Sequence, residues 1–229
     1  MSTELPVLLV HGFASSFELN WREPGIVDLL QDCGRTVIRF DFPGHGTADK
    51  PHDPRAYDDL PGELAAALPA DGSKVDAVGF SMGALTLVRL ALRMPERFNR
   101  IVLAGVGENV FNRNSSEVVA AALEAGAADE ENVTAQLFVQ FSKVPGNDPQ
   151  ALAACMRRNE DPVDPDDLAR ITCPVLVVIG DKDFAGPADR LAASLPDAKL
   201  VTLRNTEHFG TPRSFAFIDA ALDFLGASI

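Results

Sequence analysis

Gly79-Phe-Ser81-Met-Gly83 stands between an apolar run, Val75 to Val78, that reads as a buried strand, and a stretch with helical spacing, Met82 to Leu92. The pattern Gly-x-Ser-x-Gly carries little by itself, since both residue types are common enough for it to arise by chance in roughly one chain in fifteen of this length. Its context supplies a mechanism. A strand that turns sharply into a helix holds the central residue at strained dihedrals, and glycines on both sides keep neighbouring side chains clear. The serine hydroxyl is then lifted above the sheet edge, beside helix N–H groups that favour developing negative charge. The plainer reading is an ordinary βα turn in which Ser81 only caps the helix.

Further short apolar runs flank this unit: Leu5 to Val10, Thr36 to Phe40, Ile101 to Ala104, Pro174 to Ile179 and Lys199 to Leu203. Helical spacing separates most of them, at Ile26 to Gln31, Leu60 to Leu68, Ala188 to Leu195 and Pro212 to Leu225. Strands apolar on both faces that alternate with helices predict an α/β sandwich, with a mainly parallel sheet of about six strands. From Gly107 to about Asp167 the alternation stops. Helical patterns at Ser116 to Ala128, Val133 to Phe141 and Gln150 to Arg158 replace it, with Val118, Leu123, Leu137, Phe138 and Phe141 at helix-compatible spacing. The expected division is a core of residues 1–106 and 168–229 and a helical insertion of residues 107–167. A solvent-exposed helical excursion is the bland account of that insertion. A lid over an active site is the sharper one, because long insertions in compact domains are usually functional.

With 46% hydrophobic side chains in 229 residues, the chain has the material for one buried core. Its 20 Lys and Arg against 33 Asp and Glu leave a net charge of −13. That balance repels phosphate backbones and anionic lipid, so neither nucleic acid nor a membrane is an expected partner. The longest apolar runs also fall far short of the ~20 residues that a bilayer-spanning helix needs. No basic segment precedes the first apolar run, and Cys33, Cys155 and Cys173 form no CxxC pair. Reduced thiols and a cytoplasmic location are the expectation.

A serine hydroxyl is a weak nucleophile without a base and a group that orients the base. Of the four histidines, His52 lies in a polar Pro-His-Asp-Pro stretch, and His11 and His45 in glycine-flanked turns that they are expected to shape. His208, in Thr206-Glu-His-Phe-Gly210, falls between a strand and the last helix, at the edge where open α/β sheets bind ligands. Asp181-Lys-Asp183 closes the run Val175 to Gly180 at the same edge. The chain order Ser, Asp, His, with Gly-x-Ser-x-Gly first, resembles the α/β-hydrolase family. His11-Gly-Phe13 is similar to that family's oxyanion-loop motif, and Asp41-Phe-Pro-Gly-His-Gly46 to its D-x-P-G-x-G turn. Ile171 to Asp183 is similar to the segment that carries its acid, and Pro95-Glu-Arg-Phe98 fits as well. The resemblance covers most of the chain. It implies Ser81 as nucleophile, His208 as base and Asp183 as acid, with Asp181 and then Glu108 as alternatives for the acid, and the backbone N–H groups of Phe13 and Met82 as an oxyanion hole. Two positions depart from the pattern: Glu207 stands where a Gly often precedes the histidine, and Ala84 where a second Gly is common after the elbow.

Such a constellation implies a carboxylesterase-like serine hydrolase that works through an acyl-enzyme, needs no cofactor or metal, and loses activity at acid pH as His208 protonates. The expected substrate is a small neutral or apolar ester. His11, Phe111, Phe138, Phe141, Phe184 and Phe209 are the expected pocket residues, against the plainer reading that such aromatics fill cores. Alternatives stay open: a carbon–carbon bond hydrolase, a ligand sensor with slow turnover that signals through its lid, or an interaction protein whose triad is incidental.

Overall fold

Every residue of β1 (Val7–Val10), β3 (Val75–Phe80) and β5 (Val175–Gly180) is buried, as strands of a sheet covered on both faces must be. With β2 (Val37–Arg39), β4 (Phe98–Ala104) and β6 (Ala198–Leu203) they form one six-stranded sheet. The computed structural model describes residues 4–113 and 116–227, and all the pairings of this sheet are parallel. Along β1 the side chains alternate. Val7 and Leu9 enter the layer made with α1 (Ile26–Asp32) and α8 (Phe215–Leu225), while Leu8 and Val10 enter the layer made with α2 (Leu60–Ala65), α3 (Met82–Arg93) and α7 (Asp189–Ser194).

The strand order is β2-β1-β3-β4-β5-β6. The chain therefore moves outward from β1 to β2 and then returns to lay β3 on the other side of β1. At such a reversal the loops after the two central strands diverge and leave a crevice at their carboxyl ends. Phe13 follows β1 and Ser81 follows β3, so topology alone brings the two to that crevice.

Between β4 and β5 lie α4 (Glu117–Ala125), α5 (Val133–Phe141) and α6 (Pro149–Met156). Each begins on a side chain that satisfies a free helix amide: Ser116 accepts from the Val119 N–H at 3.3 Å, Asn132 from Ala135 at 2.9 Å, and Asp148 from Gln150 at 2.8 Å. Pro149, with no N–H to lose, opens α6. The three helices share a cluster that includes Val119, Leu123, Phe138, Leu152 and Met156, and Phe13, Phe141 and Phe209 pack against it. Val118, expected on the apolar side, is 63% exposed, because the helix turns Val119 inward in its place. Nor is the segment a free excursion, since Ala154 and Cys155 of α6 enter the core beneath the sheet layer. The division into core and insertion also spans residues 1–3, 114–115 and 228–229, which lie outside the described residues. Among the described residues no helix is long and apolar enough to cross a membrane.

Candidate functional site

Ser81 stands between β3 and α3 with φ 53° and ψ −117°. A non-glycine residue held there costs about 1–3 kcal/mol and persists only when its surroundings over-determine it. They do so here: the Ser81 N–H donates to the Ala104 carbonyl at 2.8 Å, and the Ser81 carbonyl accepts from the Leu85 N–H at 3.0 Å. The two flanking glycines serve close approach. A Cβ on Gly79 would stand 2.8 Å from the backbone of Ala84, and one on Gly83 would meet the carbonyl oxygens of Val10 and His11. Side chains there would push α3 off β1 and β3 and move the serine with it.

His208 opens a short 3-10 turn, His208–Arg213, after β6. Its Nε2 lies 2.9 Å from Ser81 Oγ, and its Nδ1 lies 2.8 and 2.9 Å from the two carboxylate oxygens of Asp183. An ionised carboxylate only accepts, so Nδ1 carries the hydrogen and Nε2 is left as the acceptor that faces the hydroxyl. The histidine and aspartate side chains are 3% and 0% exposed. Asp183 Oδ1 also accepts the Ala185 N–H at 2.8 Å. The imidazole is held between rings, with Phe184 at 4.2 Å and Phe80 at 4.9 Å between centroids, while Phe209 meets it edge-on.

Neither alternative acid reaches the imidazole. The Asp181 carboxylate faces its own turn, where the backbone N–H groups of Asn205 and Thr206 hold it below the usual carboxylate range. Glu108 pairs with Arg190 at 2.7 Å on the surface. Glu207 is exposed.

Ser81 lines a cavity of about 250 Å³ together with Phe13, Met82, Phe138 and Phe184. A second cavity of about 200 Å³, on another side of Phe13, takes in Phe141 and Phe209. Two of the expected pocket residues lie elsewhere. His11 is wholly buried behind the loop, where its Nε2 accepts the Phe42 N–H at 3.1 Å and burial lowers its pKa. Phe111 packs on the core beneath the Arg190 guanidinium, 4.2 Å from ring centroid to cation. His45 is likewise buried, and its pKa is pushed down to about 3, by burial first and then by the positive charges of His11 and Arg158. His52 is half exposed and bridges to Asp148, the cap of α6, at 2.9 Å.

Two contributors are invisible to motif reading. Asn20 accepts the Gly12 N–H at 2.9 Å and so fixes the loop that carries Phe13. Arg158 is 5% exposed, yet lines the Ser81 cavity. In sequence it closes the helical pattern Gln150 to Arg158 and belongs to a charged stretch, Arg157-Arg-Asn-Glu-Asp161. Only the path of the chain just past the end of α6 tells the two arginines apart.

A parallel sheet with a serine on the strand-to-helix turn of its central strand, and a histidine and a buried carboxylate in file behind that serine, defines a class of α/β proteins. The chain belongs to the alpha/beta hydrolase family, whose model matches residues 7–220. It is 28% identical, across 83% of its length and 78% of the relative's, to a Synechocystis sp. protein provisionally named a non-heme chloroperoxidase. It is 25% identical to a pimeloyl-acyl-carrier-protein methyl ester esterase of Nitrosomonas europaea, across 88% of each chain. Its fold is shared with an enol-lactonase from Burkholderia xenovorans, with a TM-score of 0.75 over 98% of this chain and 92% of that one at 21% identity.

Proposed function

We propose that the chain is a serine hydrolase of small esters, with Ser81 as nucleophile, His208 as general base and Asp183 as the acid that orients it. The observation that carries this reading is the unbroken file from Asp183 through His208 to Ser81 Oγ, with bonds of 2.8 and 2.9 Å, at the wall of a cavity. The names of the Nitrosomonas and Burkholderia proteins, an esterase and a lactonase, point to the same bond type.

The geometry supports the following course. Nε2 takes the Ser81 proton as Oγ attacks the ester carbonyl, and Asp183 stabilises the imidazolium that forms. Met82 is the first residue of α3, so its N–H has no acceptor within the helix and faces the developing oxyanion, with the Phe13 amide as its partner across the crevice. His208 then returns the proton to the leaving oxygen, and water cleaves the acyl-enzyme by the same route. The insertion acts as a lid in this scheme, since Phe138 of α5 and Met156 of α6 line the cavity beside Ser81. The phenylalanines suit an apolar chain next to the scissile bond, and the volume suits a small acyl group.

The reading is tested by steady-state hydrolysis of 4-nitrophenyl esters of graded acyl length, with Ser81→Ala beside the parent. Multiple turnover that falls by roughly 10⁴-fold in the variant is the expected result. Ligand binding without turnover in the parent would favour the sensor alternative instead.

A further inference from the structure

We propose that Arg158 makes the Ser81 cavity a site for esters whose acyl part ends in a carboxylate; the inference rests on the ester-hydrolase reading of that site. Burying a guanidinium is costly unless its charge is met, and the surroundings of Arg158 meet it only in part. Its Nη1 donates to the Cys155 carbonyl at 2.9 Å, and its Nη2 pairs with Glu160. Glu160 is itself shared, because Arg89 of α3 reaches the same carboxylate at 2.8 Å. One carboxylate therefore stands between two guanidiniums.

Of the other charges nearby, Asp58 lines the groove that Arg89, Arg93 and Arg158 share and accepts the Asn159 N–H at 3.0 Å. Asp161 offers Arg89 only its carbonyl, at 2.9 Å, and gives its carboxylate to Arg113 at 3.0 Å. Arg93 and Asp59 pair with each other. A guanidinium has five N–H donors in a planar fork; the bonds to the Cys155 carbonyl and to Glu160 leave donors over, and Arg158 lines both the groove it shares with Glu160 and Arg89 and the cavity it shares with Ser81. An anion brought there gains charge-assisted bonds, each roughly twice as strong as a neutral one. The acyl part is the part that Ser81 holds, so the carboxylate belongs on it, beyond an apolar spacer against Phe138 and Met156.

This reverses the expectation of a neutral substrate that the net charge of −13 suggests. Surface charge repels an anion only over about a Debye length, ~8 Å at physiological salt, whereas a buried cation acts at contact.

The test compares 4-nitrophenyl half-esters of dicarboxylic acids of increasing length with neutral 4-nitrophenyl esters of matching length, each corrected for spontaneous hydrolysis. The parent is expected to favour the half-ester at one length by about tenfold or more in kcat/KM. That ratio should collapse in Arg158→Met, recover in part in Arg158→Lys, and rise above the parent's in Glu160→Gln, where the competing carboxylate is gone. Calorimetric binding of the same pairs to Ser81→Ala gives a readout that needs no turnover. Turnover with no half-ester preference at any length, or a preference that Arg158→Met retains, overturns the inference and leaves the hydrolase reading standing; Arg158 would then only brace the insertion against α3. Absence of turnover with Arg158-dependent binding of the half-ester would overturn the hydrolase reading and keep the carboxylate site.

Discussion

The sheet core and the helical insertion meet at Ser81 but are built from different material. In the core, β1, β3 and β5 are buried at every residue, and nine of the twelve residues of α3 are buried. In the insertion nearly half of the buried helix positions are alanine. Alanine removes little apolar area from water, so each of these helices gains less from packing than α3 does. The difference bears on how labour is divided. Groups that must hold a geometry within tenths of an ångström, Ser81, His208 and Asp183, sit on the tightly packed part. Groups that the proposed function and the proposed carboxylate site use to select a substrate, Phe138, Met156 and Arg158, sit on or next to the less densely packed helices.

Asp183→Asn strikes the tightly packed part without changing its shape. An amide can present N–H₂ to Nδ1 and so turn the imidazole to the wrong tautomer, and kcat is expected to fall by roughly 10³–10⁴-fold with the fold intact by circular dichroism. A loss below tenfold would move the orienting role to another group.

Matched deletions test the packing contrast directly. Leu87 and Leu152 are both fully buried, the first in the core and the second in the insertion. Leu87→Ala is expected to lower global stability by about 2–5 kcal/mol. Leu152→Ala should lower it less and raise KM instead, as the wall of the cavity loosens. Equal shifts in Tm for the two variants would show one cooperative unit and erase the distinction.

A smaller effect follows from His45. Its folded pKa of about 3 lies below the ordinary 6.5, so as pH falls the unfolded chain takes up the proton first. The contribution is fully present above pH 6.5 and is lost progressively as pH drops toward 3. Urea titrations across that range should show a shallower decline for His45→Gln than for the parent, and an unchanged slope would place the acid lability elsewhere. Smallest of all, Val118→Thr on the outer side of α4 should stay within about 0.5 kcal/mol of the parent and leave the kinetics alone, since Val118 is 63% exposed.

Much of the core was legible because its signals are local. The β-branched runs marked the strands to within a few residues, and Pro95 after Arg93 marked the end of α3. Gly79 and Gly83 announced a close approach before its partners were known. Legibility failed where a one- or two-residue phase decides the outcome. Asp181 and Asp183 share one turn, and only the path of that turn puts the second against His208 and the first against the Thr206 amide. Val118 and Val119 are chemically identical, but helix rotation exposes one and buries the other. Arg157 and Arg158, just past the end of α6, also part ways. The first reaches Glu117 and Glu124 on the surface, and the second reaches the cavity.

The sequence by itself determined the alternation of strands and helices, the strained serine turn and the chain order of serine, acid and base, since each depends on sterics and periodicity within a dozen or so residues. The tertiary structure alone decided which acid meets the histidine, how large the cavity is, and that a cation stands in its wall. Those outcomes depend on residues far apart in the chain, such as Ser81 and His208, 127 positions from one another. The cost of burying a charge is likewise set by what packing places around it, and no local pattern records that.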